Sequence, residues 1–166
     1  MLMPVKDPRF PGAVLVTLIL AMVLSLIPLG DVLSLWRPEW IALTLVHWAL
    51  IIRDRVSLVV VFAIGLIVDT TLPGSLLGQH ALGYVLVTYL AVRLSLRMTP
   101  EAFMQQLALL FVILGAYMLA NLWILRVVGA GSTGGWLYWA PLLSSIAIWP
   151  VFHSLLGYFH VQRKAL

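Results

Sequence analysis

GLIVDTTLPGSLLGQHALG, Gly65 to Gly83, places one carboxylate, Asp69, and a Pro-Gly break between two long apolar runs. Of the six acidic residues, Asp7, Asp31, Glu39, Asp54 and Glu101 fall in polar flanks or loops, whereas Asp69 ends the apolar run VSLVVVFAIGLIV. A carboxylate at such depth is costly to desolvate and requires a specific partner. Counted from Val56, Asp69 lies thirteen residues along a helix, about 20 Å into a hydrocarbon layer of roughly 30 Å. Its charge also opposes the dipole at a helix C-terminus, so an ion pair or a helix cap is expected, with His80 and Arg126 as candidate partners and a proton- or ligand-binding role as the alternative. Pro73 and Gly74 interrupt helix, and irregular backbone at membrane depth is tolerated only inside protein or beside a wet cavity. The segment is therefore expected to pack inward.

The rest of the chain reads as membrane scaffold. Its 166 residues allow one domain, residues 1–166, and are 63% hydrophobic and 10% charged, against roughly 25% charged in soluble domains. With a mean hydropathy of +1.07, this composition describes an integral membrane protein. The pI near 9.9 does not imply nucleic acid, because the Lys and Arg residues are scattered between apolar runs. The absence of cysteine excludes disulfides and thiolate metal sites. Lys6 and Arg9 precede an apolar run followed by Ile27-Pro28-Leu29-Gly30, which lacks a small-x-small cleavage site, so an uncleaved anchor is expected.

Six apolar spans predict an all-α bundle of six transmembrane helices: Gly12 to Ile27, Trp40 to Ile52, Val56 to Val68, Leu76 to Val92, Phe103 to Leu125 and Leu137 to Phe159. The second and third are short against the roughly 20 residues of a usual span. Either they form a re-entrant pair, or Arg53, Asp54 and Arg55 make a tight turn between two full crossings. Charge favours the crossings. With both termini cytoplasmic, Lys6, Arg9, Arg53, Arg55, Arg93, Arg97, Arg163 and Lys164 lie inside and only Arg37 and Arg126 outside, as the positive-inside rule demands. Trp36, Trp40, Trp123, Trp136, Tyr138 and Trp139 then cluster at outer ends, like an interfacial belt.

Ala13, Thr17, Ala21 and Ser25 recur every four residues and form a ridge of small side chains, suited to a neighbouring span or to a helix of another protein. Pro38 suits the first turn of the second span, and Pro150 is expected to kink the last. The loop GAGSTGG is uncharged and by composition expected to be flexible, and no loop is large enough for a soluble domain.

Reaction chemistry finds little footing. Asp69 is the single carboxylate expected inside, which argues against a carboxylate dyad. Ser75 and His80 lack a glycine-framed serine motif, and no phosphate-binding loop follows Gly74, Gly78 or Gly83. His47, His80, His153 and His160 contain no pair at helical metal-ligand spacing. No enzyme, cofactor or metal site is expected. A proton channel would need more polar lining than one Asp, one Asn and a few His provide.

WRPEWIALTLVHW (Trp36 to Trp48), RDRVS, GLIVDTTLPGSLLGQHAL and IWP (Ile148 to Pro150), in this order and spacing, resemble the bacterial rod shape-determining protein MreD family. The resemblance implies a non-enzymatic inner-membrane subunit of the machinery that builds lateral peptidoglycan. Its implied partner is MreC, with MreB, RodZ, RodA and the elongation transpeptidase in the same complex. By motif, Arg37, Pro38, Gly65, Asp69, Gly74, Leu77, Gly78 and Ala81 match the family's recurring positions, and His80 stands where the family pattern often has a basic residue. A second reading is a small-molecule-binding subunit similar to the substrate-binding components of energy-coupling-factor vitamin transporters, which are also small six-helix proteins. Those components carry paired alanines four apart on the first helix, whereas here Ala13 is followed by Thr17.

Overall fold

The computed structural model describes residues 10–52, 56–72, 75–96, 103–129 and 135–161. Seven α-helices and one 3₁₀ turn account for nearly all of them, with no strand among the described residues. They are α1 (Phe10–Leu26), a five-residue α2 (Asp31–Leu35), α3 (Trp40–Ile51), α4 (Leu58–Thr71), α5 (Gln79–Ser95), α6 (Phe103–Val128) and α7 (Ala140–Val161), which follows the 3₁₀ turn Gly135–Trp139. The six longer helices fall on the six apolar runs, with ends shifted by a few residues. The Pro73-Gly74 break, the Arg53-Asp54-Arg55 turn and most of GAGSTGG lie outside the described residues.

Helix α3 is the centre. Every residue from Ile41 to Leu50 is buried, and α3 packs against α1, α5 and α7. A helix surrounded by protein is apolar on all sides, which is why WIALTLVHWALI shows no polar face. Around it, α4 packs on α5, α5 on α6, and α6 on α7. The core of Leu43, Val46, Val87, Leu110, Ile113, Leu114 and Trp149 is shared among α3, α5, α6 and α7.

Outer faces are apolar as well. Leu15, Val16, Ile19 and Leu20 on α1, Val59 and Val60 on α4, Phe111, Leu119 and Trp123 on α6 and Val151 on α7 are all exposed. Two segments, Phe103–Val128 and Gly135–Gly157, are long and apolar enough to cross a membrane, and only 39% and 33% of their apolar windows are buried. The core helix of a soluble protein would be mostly enclosed, and contiguous exposed apolar surface of this extent favours lipid over water. Gly12–Leu26 and Leu58–Thr71 are apolar but shorter.

Local chemistry sets several boundaries. Pro11 lies in the first turn of α1, where a missing N–H breaks no helical bond. Helix α3 begins at Trp40 with Glu39 as its N-cap residue. Pro38 therefore precedes the cap, contrary to the expectation that it occupies the first turn, because the Glu39 N–H is held by Ser145 Oγ at 2.9 Å and the Glu39 carbonyl accepts the first helical bond from Leu43 at 2.8 Å. Helix α7 runs through Pro150 unbroken.

The closest crossing is between α4 and α5. A Cβ built on Gly65 would lie 2.2 Å from Ala81 Cα, so only glycine fits there. Gly83 makes the next contact, where a Cβ would lie 2.4 Å from the Tyr117 ring on α6. By contrast, a Cβ on Gly115 of α6 meets nothing within 4 Å. Gly65→Ala should therefore force α4 from α5 and lower stability by roughly 1–3 kcal/mol, whereas Gly115→Ala should be neutral or stabilising by up to about 1 kcal/mol. Thermal unfolding of the two variants in detergent checks the contrast, and equal midpoints would refute the crossing.

Candidate functional site

The candidate site is the junction where α4 ends and α5 begins. Asp69 sits in the last turn of α4 with its side chain wholly buried. Its Oδ2 accepts hydrogen bonds from the backbone N–H groups of Gly78 at 2.8 Å and Ala81 at 3.3 Å. Its Oδ1 accepts from the His80 N–H at 2.9 Å and lies 2.8 Å from His80 Nδ1. The carboxylate of one helix thus caps the N-terminus of the next, where unsatisfied N–H groups and the positive end of the dipole favour an anion.

The connecting turn is built to present those donors. Gly78 has φ +94°, a left-handed conformation that favours glycine, and it directly precedes α5. Ser75 Oγ donates to the Asp69 carbonyl at 2.7 Å and to the Leu72 carbonyl at 3.1 Å. Gln79 Oε1 accepts from the Leu76 N–H at 3.3 Å, and the Gln79 N–H returns to the Leu76 carbonyl at 3.0 Å. Ser75 is therefore bonded to backbone and His80 to Asp69, so the two do not form a nucleophile-base pair. Leu77 is exposed, and Gly74 lies outside the described residues.

Of the two candidate partners for Asp69, the structure brings in His80. Arg126 lies exposed in the last turn of α6, and none of the four bonds to the Asp69 carboxylate comes from it. Arg37 acts at a different place, where its guanidinium donates to the carbonyls of Ser25 and Ile27 at the end of α1. A cation there complements the negative end of the α1 dipole.

Glu39 was not expected at this site. Its carboxyl is half-buried and within electrostatic reach of both His80 and Arg37, and burial pushes its pKa above the ordinary Glu value against the pull of those two groups. A second carboxylate thus lies within electrostatic range of the histidine that Asp69 holds, while Asp69 is the one buried carboxylate among the described residues. The available signal was its position immediately before a helix buried on every side.

The small ridge on α1 turns inward. Thr17 and Ala21 are buried, Ala13 and Ser25 partly so, and Thr17 Oγ1 accepts a hydrogen bond from Trp48 Nε1 of α3 at 2.9 Å. Between the end of α1, α3 and α4 lies a crevice of about 160 Å³ lined by Met22, Ser25, Leu26, Ile41, Val68, Thr71 and Leu72. Much of that space is open to solvent and none of it has room to enclose a water molecule, so it is no small-molecule site of the usual roughly 300–1,000 Å³. No group of three or more His, Cys, Asp or Glu side chains among the described residues is arranged to hold a metal ion.

Removing the cap should be the costliest change here. Asp69→Asn replaces an acceptor oxygen with a donor facing backbone N–H groups, at a cost of about 3 kcal/mol, while His80→Ala removes one bond of four and costs about half as much. Arg126→Ala should cost least, and His80→Arg should retain a side-chain donor beside Asp69. Chemical-denaturant titrations in micelles rank the variants, and an Arg126→Ala loss larger than that of His80→Ala would contradict the pairing.

Comparison with known proteins covers nearly the whole of this architecture. The family described as rod shape-determining protein MreD matches residues 9–159. The chain is 32% identical over 151 residues to the rod shape-determining protein MreD of Haemophilus influenzae, covering 88% of each chain. No solved structure matches it. The matched region contains the Asp69 junction, the buried α3 and both membrane-length helices, and the chain belongs to the rod shape-determining protein MreD family.

Proposed function

We propose that this chain is a non-enzymatic scaffold of the bacterial inner membrane that binds MreC and helps maintain rod shape during lateral peptidoglycan synthesis. The observation that carries the reading is the family match from residue 9 to residue 159. MreB, RodZ, RodA and the elongation transpeptidase are indirect partners in the same proposal, and membrane lipid is the surrounding medium.

The use of polar groups supports a scaffold. The Asp69 carboxylate is engaged by four donors, Thr17 by the Trp48 indole, and Tyr138 OH by the Met118 carbonyl at 2.6 Å. Groups committed to fastening helices are poorly placed to turn over a substrate. The proposed topology is multi-pass with both termini cytoplasmic, which sets eight of the ten basic residues inside.

Co-expression with MreC of the same organism, followed by detergent extraction and affinity capture, tests the proposal. A stable one-to-one complex is expected, with Asp69→Asn losing recovery in proportion to its loss of folded protein. A monodisperse, folded chain that fails to retain MreC would overturn the scaffold assignment.

A further inference from the structure

Away from the Asp69 junction, two histidines meet inside the helix packing. His47 on α3 is fully buried, and His153 on α7 is partly buried. Their Nδ1 atoms lie 3.0 Å apart, with ring centroids 4.7 Å apart and planes at 68°. Two imidazole nitrogens at that separation require one proton between them, so one ring donates and the other accepts. If both rings are imidazolium, both nitrogens carry hydrogen and the contact becomes a repulsion between like charges.

The surroundings keep the pair in place. Trp48 meets His47 edge-on at 5.5 Å, and Trp149 lies 5.0 Å from His153. Trp149 is itself buried and donates from Nε1 to Gln106 Oε1 of α6 at 3.3 Å. These neighbours are aromatic or amide groups that do not change charge in the pH range of an imidazole. Among the described side chains, the other titratable groups on the packed elements are engaged elsewhere: His80 with Asp69, Tyr84 against Tyr117, Arg93 over Tyr89, and Tyr138 with Met118. Glu39 faces Arg37 and His80, Arg126 lies at the exposed end of α6, and the described part of α1 carries no titratable side chain.

We propose that His47 and His153 form a proton-dependent latch between α3 and α7, closed by one shared proton and opened by a second. The ligand of this site is the proton. Because α3 is the helix on which α1, α5 and α7 converge, opening the latch loosens α7 from the centre of the fold. The sign follows from the donor count: the latch holds while no more than one ring is imidazolium, and is lost as acid protonates both rings.

Nitrogen-15 NMR of the histidine-labelled full chain in micelles tests the latch without a substitution. One ring of the pair is expected in the Nδ1–H tautomer at pH 7.5, with coupled titration of the two residues. A second measurement compares thermal midpoints from pH 7.5 to pH 5 for the wild-type chain and His153→Asn, whose amide oxygen can accept from His47 without titrating. The wild type should lose several degrees more than the variant over that range. Two Nε2–H tautomers with independent titrations, or superimposable pH dependences of the two midpoints, would each overturn the proposal.

Discussion

A buried carboxylate at the end of one helix and the start of the next is the constraint on which the fold turns. At the C-terminus of α4 the charge of Asp69 is unfavourable, and in a buried, low-dielectric setting its desolvation costs several kcal/mol. The N-terminus of α5 reverses that account. Three backbone N–H groups with no helical acceptor and one imidazole converge on the two oxygens, and hydrogen bonds to a charged acceptor contribute roughly 1.5–3 kcal/mol each. The sum offsets the burial only if the two helix ends meet closely. That closeness is set by Gly65 against Ala81, four residues before Asp69 and one after His80, and by the left-handed Gly78 that aims the N–H groups.

The same reasoning explains why a membrane-family chain tolerates a helix as short as α3. Twelve residues span about 18 Å, well short of a hydrocarbon layer of roughly 30 Å. Hydrophobic matching, however, is a demand made by lipid on the surface that lipid touches. Helix α3 presents almost none, being buried from Ile41 to Leu50, and its N-terminus is tied to α7 through Ser145. Helices α6 and α7 combine broad exposed faces with membrane length, whereas α1 and α4 are exposed but shorter, so only for α3 does enclosure by protein remove the demand for length.

Helix identity and approximate ends were legible because they rest on local signals: runs of apolar residues, prolines and glycines at their ends, and charges between. The burial of Asp69 and its pairing with a cation or a helix end were legible for the same reason, since the cost of a lone carboxylate in an apolar run is independent of the partner. What stayed hidden depends on contacts distant in sequence. Ser145 meets Glu39, and His153 meets His47, each across 106 residues. The choice between His80 and Arg126 required knowing that α5 folds back on α4 directly. The short helix α2 was hidden because DVLSL is too brief to show a period.

Under the scaffold reading, the direction in which polar and small residues face limits how a partner can be recognised. The ridge of Ala13, Thr17, Ala21 and Ser25 is the surface best suited to close helix approach, and α3 occupies it. The outward face of α1 carries Leu15, Val16, Ile19, Leu20 and Val23 instead. Between helices in lipid, large apolar side chains gain nothing from leaving water, so specificity there comes from shape and from polar groups near the helix ends. The buried Asp69 carboxylate already holds four bonds, so its contribution to a partner is indirect: it fixes the angle between α4 and α5, and through α5 the position of α3 and α6. A scaffold that recognises by shape needs that angle held firmly, and a saturated carboxylate at the junction holds it at a cost that only a tightly closed helix pair can meet.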